Sequence, residues 1–70
     1  MTNKEIRDNI RDIAERENGI QNVCDVQVSI VNLRKRKHFY IVDVIFTTLD
    51  KGSERHTDWK YPREVVERVG

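Results

Sequence analysis

The sequence predicts an α+β domain in the order α-β-β-β-α, with an N-terminal helix, a three-stranded antiparallel meander and a short C-terminal helix. Three observations predict it. Apolar residues recur at spacings of three and four across residues 2–17. Two long segments, 23–33 and 38–49, are rich in β-branched and aromatic residues, with alternation in the first. Pro62 precedes a short run of valines near the end. Spacings of three to four mark one face of a helix, and a spacing of two marks one face of a strand.

In residues 2–17, Ile6, Ile10, Ile13 and Ala14 form one apolar stripe. Thr2 and Glu5 have the spacing of a capping box, in which each side chain satisfies a backbone N–H at the helix start. Asp8–Arg11 and Asp12–Arg16 are spaced for ion pairs on the exposed side, each worth about 0.2–0.5 kcal/mol. Asn18-Gly19 suits the backbone conformation that ends many helices.

Residues 23–33 read as the first strand, with Val26, Val28 and Ile30 on one face and Gln27 and Ser29 on the other. The alternation slips at Val31, as expected of a bulge or of a sheet buried on both faces. Residues 38–49 read as a longer central strand. Tyr40, Val42, Val44 and Phe46 share one face; Phe39, Ile41, Asp43, Ile45 and Thr47 share the other. Asp50-Lys51-Gly52-Ser53 is a turn, with Gly52 placed for positive φ. Residues 54–61 follow as a third strand, with Arg55, Thr57, Trp59 and Tyr61 expected on one side. Pro62 suits a first helical position, and Val65, Val66 and Val69 share a face of the helix it opens. So short a helix must dock on the sheet. If the N-terminal helix covers the Tyr40 face, the face of Phe39, Ile41 and Ile45 needs another cover: either the last helix supplies it, or an apolar patch is left for a partner.

Seventy residues make one domain, 1–70, whose core supplies little net stability. Cys24 is the single cysteine, so no disulfide forms within the chain, and His38 and His56 show no zinc spacing. No metal or cofactor is therefore expected, and self-association into a homodimer is the first staple to expect. No apolar run reaches the length of a membrane span and the N-terminus shows no signal segment, which points to a cytoplasmic protein without membrane contact.

The sharpest candidate site is the basic run Arg34, Lys35, Arg36 and Lys37, followed by His38, at the turn between the first two strands. Strands of about 11 and 12 residues reach roughly 36–40 Å at about 3.3 Å per residue, whereas the first helix reaches about 24 Å. The hairpin is thus expected to overhang its core and present a cationic tip to an acidic protein surface or to nucleic-acid phosphates. The plainer reading is a solvated loop that aids solubility. Phe39, Ile41, Ile45 and Trp59 are the candidate interface residues, because an uncovered apolar face or a tryptophan anchor favours docking, although for the single tryptophan core packing is the plainer reading. Asp43 is expected to pair with Lys60, Arg55 or His56 across strands. Paired with His56 it would resemble part of a hydrolytic constellation, but Cys24, Ser29 and Ser53 lack any supporting motif. No glycine-rich phosphate loop or catalytic motif is present. The net charge of +1 is a poor footprint for a dedicated nucleic-acid binder. The expected function is therefore a non-enzymatic binding protein, an adaptor or inhibitor of a larger partner, with direct DNA or RNA binding as the alternative.

Overall fold

The computed structural model describes residues 1–20 and 25–69, so Cys24 and the first residues of the expected 23–33 strand lie outside the described part. The order is α1 (Asn3–Glu17), β1 (Val26–Lys35), β2 (Phe39–Thr48), β3 (Gly52–Pro62) and α2 (Arg63–Arg68). The strands form one antiparallel meander, β1-β2-β3, with β2 in the centre.

α1 starts as its sequence dictates. The Thr2 hydroxyl accepts the Glu5 N–H at 3.2 Å, and the Glu5 carboxylate accepts the Thr2 N–H at 3.2 Å. Ile6, Ile10 and Ala14 are buried, and Ile13 packs beside them. The exposed side carries Arg11–Asp8 at 3.5 Å and Arg16–Asp12 at 2.9 Å. Asn18 closes the helix, its N–H reaching Ala14, and Gly19 follows with φ +65°.

The sheet meets α1 with Val28, Ile30, Tyr40, Val42, Val44 and Tyr61, all buried. Register explains the grouping: Ile30 opposes Val44, Val42 opposes Trp59, and Tyr40 opposes Tyr61. Directly opposed residues share a face of the sheet. The slip at Val31 is a bulge, centred where β1 shifts register between Val31 and Arg34. A second shift lies in β3, opposite the step from Val42 to Val44. It corrects the expected facing of that strand. His56, Trp59 and Tyr61 face the helices, while Arg55 lies opposite Ile45 on the other side. The extra residue of a bulge reverses the alternation, which strict two-residue counting misses.

α2 is also placed differently from expectation. Pro62 is its N-cap rather than its first helical residue. The helix joins α1 on the same side of the sheet and leaves the opposite face uncovered. Asn9 of α1 donates to the Val66 and Val69 carbonyls at 3.0 and 3.1 Å. The Tyr40 hydroxyl, on the helix-facing side, donates to Glu67 at 3.1 Å, and Arg63 lies over the Tyr40 ring. Val66 is fully buried, whereas Val65 is 42% exposed, so the three valines do not form one docking face. The carbonyls at the end of α2 need partners, and Asn9 supplies them, which fixes the side on which the helix sits.

Two outcomes test this account of the core. Thr2→Ala removes one half of the capping box and is expected to lower stability by about 1 kcal/mol in urea unfolding. Ile10→Ala empties a fully buried site and is expected to cost about 2–5 kcal/mol, enough to unfold much of so small a domain at room temperature.

Candidate functional site

The uncovered face of the sheet is built from residues that share register. Ser29, Ile45 and Arg55 form one row; Arg34, Ile41 and Lys60 another; Phe39 and Pro62 lie nearest the β1–β2 turn. Between the first two rows stands Asp43, opposite Val31. Ile41, Ile45 and Val31 are half-buried, and Phe39 is 43% exposed. The result is an apolar stripe along β2, flanked by Arg34 on one side and by Arg55 and Lys60 on the other.

Asp43 is the only charged residue of the described part that is buried, at 4% exposure. Its carboxylate accepts four hydrogen bonds, two at each oxygen. Arg34 Nη2 at 2.8 Å and the Asp58 backbone N–H at 3.2 Å reach Oδ1. Arg55 Nη2 at 2.7 Å and Asn32 Nδ2 at 3.3 Å reach Oδ2. A carboxylate offers about four acceptor positions, so this one is saturated. Asn32 and Asp58 have positive φ, 54° and 58°, and occupy the two bulges. Each bulge turns a donor of an edge strand towards the central carboxylate. The donors hold the Asp43 carboxyl well below its ordinary value, at about 2; the Arg55 guanidinium contributes most, against the opposing effect of burial.

This clamp changes the reading of the basic run. Arg34 belongs to β1 and is drawn back onto Asp43 and Asp58, with its Nε donating to the Asn32 carbonyl at 3.1 Å. It is therefore not a free cation, contrary to the sequence expectation of four projecting charges. Lys35, Arg36, Lys37 and His38 remain exposed, and none of the first three has a carboxylate partner among the described residues. Nor does the tip overhang freely. The Arg63 N–H donates to the His38 carbonyl at 3.0 Å, and Arg63 Nη1 donates to the Arg36 carbonyl at 3.2 Å. α2 thus braces the turn from beneath and holds the three cations on a fixed loop.

Trp59 lies away from Phe39, Ile41 and Ile45. It is half-buried on the helix side, with ring centroids 5.1 Å from His56 and 5.9 Å from Phe46. His56 is in this aromatic group, on the face opposite the Asp43 carboxylate, so the two form no pair. Of the partners expected for Asp43, Arg55 is correct; Arg34, Asn32 and Asp58 are additions. The sequence signal for them was weak: the slip at Val31 marked one bulge, and nothing in residues 54–61 marked the other. Among the described residues no group of histidine, cysteine and carboxylates is arranged to hold a metal ion. No helix among the described residues is long and apolar enough to cross a membrane. Comparison with protein-family models, curated proteins and solved structures gives no significant match.

The clamp has a pH signature. Because the folded-state value of Asp43 is depressed from 3.8 to about 2, its contribution is complete above about pH 4 and is lost as the pH falls towards 2. Asp43→Asn is expected to flatten this acid limb of the stability curve and to lower stability at neutral pH, leaving Arg34 and Arg55 without their shared anion. Urea midpoints measured from pH 7 to pH 2 for both proteins check it. Parallel curves would mean that Asp43 does not anchor the sheet.

Proposed function

We propose that this chain is a small non-enzymatic binding domain that docks on an acidic surface of a larger protein through its uncovered sheet face and its Lys35–His38 turn. One observation supports the reading above all: both helices pack on the same side, leaving Phe39, Ile41 and Ile45 without cover. An apolar stripe bordered by polar and charged groups is the usual anatomy of a docking surface, with a water-excluding centre and a polar rim. The rim here is cationic, with Lys60 on β3 and the exposed Arg36 of the turn at one end. An anionic partner meets such a rim with favourable long-range attraction. A second copy meeting it face to face would bring like charges together, so a homodimer through this surface is the weaker reading. Adaptor and inhibitor roles both suit a domain of this kind, and one cysteine in the chain suits a reducing compartment such as the cytoplasm.

A second reading has its own support. Phe39 is exposed next to the cationic turn, the combination of stacking ring and phosphate contact used on single strands. With Arg34 neutralised internally, three cations remain at the tip. Direct nucleic-acid binding would then show a log–log salt slope near about −2.7 on duplex DNA, rather than the −3.6 or so of four contacts. Titration with DNA and RNA oligonucleotides at several salt concentrations separates the readings. The protein-partner reading expects no saturable binding in low salt.

For the partner itself, nuclease-treated affinity capture followed by a binding assay with the recovered protein is the test. Lys35→Glu, Arg36→Glu and Lys37→Glu together are expected to leave thermal unfolding unchanged and to weaken binding at least about tenfold, a loss of about 1.4 kcal/mol. Phe39→Ser is expected to weaken it further with little dependence on salt. Unchanged affinity in both folded variants would remove the sheet face as the docking surface.

A further inference from the structure

A separate surface lies on the outer edge of β1. Among the described residues β1 and β3 are the two edge strands of the sheet, and each presents a row of backbone groups with no neighbouring strand there. Natural sheets protect such edges with charges, prolines or bulges, because a bare edge invites another strand. β3 is protected in this way: Glu54, Arg55, Asp58 and Lys60 lie along it, and a bulge falls at Asp58. β1 is not. From Val26 to Val31 it reads Val-Gln-Val-Ser-Ile-Val, without charge, proline or glycine, and its bulge comes only after Val31. The run is in regular register with β2 throughout, hence flat enough to template a further strand.

α1 turns this edge into a groove. Asp8, Arg11, Asp12 and Glu15 lie at successive turns of one helix face and, with Val26–Ser29, line a cleft of about 490 Å³. A smaller continuation runs past Arg7 to Ile30. A helix standing over an edge strand is an arrangement that accepts an extended peptide, with backbone hydrogen bonds on one side and side-chain contacts to the helix on the other. The helix wall of the main cleft holds three carboxylates; Arg11 lies 3.5 and 3.9 Å from Asp8 and Glu15, and Arg16 lies 2.9 Å from Asp12, exposed pairs that contribute little and leave the wall with a net negative charge. It therefore favours a cationic guest.

We infer that the Val26–Val31 edge of β1 is a strand-addition site for an extended segment of a partner protein bearing lysine or arginine at alternate positions. Those side chains would reach Asp8, Asp12 and Glu15. A second copy of the chain fits this edge poorly. α1 lies over β1, so joining two β1 edges would place two helices over strands about 4.8 Å apart. Packed helices need about 8–10 Å between axes. An extended segment without a helix above it avoids the clash.

The probe is a blocked synthetic peptide of alternating lysine and valine, as long as the Val26–Val31 segment, with a glutamate–valine peptide as control. Amide NMR shifts and hydrogen exchange are followed during titration of the whole chain. The expected result is saturable binding with shifts and added exchange protection in Val26–Val31. The control should bind at least about tenfold more weakly, and Asp8→Lys with Asp12→Lys should abolish the preference while the spectrum stays that of a folded protein. Should that variant unfold, Asp12→Asn with rising salt gives the same test. Equal binding of both peptides, no shifts with millimolar lysine–valine peptide, or shifts confined to Phe39, Ile41 and Ile45 would each overturn the proposal. The last outcome would assign the peptide to the open face instead.

Discussion

The sheet is organised around one buried carboxylate. Asp43 sits in the middle of the central strand and receives donors from both neighbours, so a single side chain ties three strands together. Burying a charge is costly unless its acceptor positions are filled, and four donors fill them. This arrangement requires both bulges. Regular pairing would place the Asn32 side chain on the helix-facing side, opposite Val42, and direct the Asp58 N–H along the ladder; the displaced backbone at those residues turns both towards Asp43. The irregularities that complicate the sheet are thus the means by which its one internal charge is satisfied.

The same constraint divides the molecule into two unlike sides. One side gathers α1, α2 and nearly all buried apolar side chains, with Tyr40 linked to Glu67 and Asn9 holding the end of α2. The other side has no helix. Its polar centre is neutralised within the sheet by Arg34 and Arg55, which leaves the surrounding Phe39, Ile41 and Ile45 as a shallow apolar surface with cations beyond it. A guest on that surface would meet rigid β-structure rather than a mobile loop, since α2 also holds the turn at Arg36 and His38.

Local rules made most of the architecture legible in the sequence. The Ile6–Ile10–Ala14 spacing gave α1, the Thr2/Glu5 pair gave its start, and the Tyr40–Phe46 alternation gave the buried side of β2. Each of these depends on neighbours a few residues away. The side on which α2 docks depends on Asn9, far off in the chain, and no periodicity reports it. The fate of Arg34 was hidden for the same reason: four adjacent basic residues look equivalent until the fold brings Asp43 and Asp58 to one of them. Lys35, Arg36, Lys37 and His38 were legible as exposed, because a run of charged residues at a hairpin end keeps its side chains in water even where α2 holds the backbone beneath.

The two left-handed backbone positions have a consequence for how this sequence can vary. Glycine would relax the backbone at Asn32 and Asp58, yet it would also delete the Asn32 amide that reaches Asp43 and the Asp58 carboxylate that holds Arg34. Larger residues would keep a side chain but strain the main chain. Neither position is therefore free to drift by itself, and neither are Arg34, Asp43 and Arg55. Substitutions within this quintet should show strong epistasis, so that a tolerated change at one member depends on which residues occupy the other four.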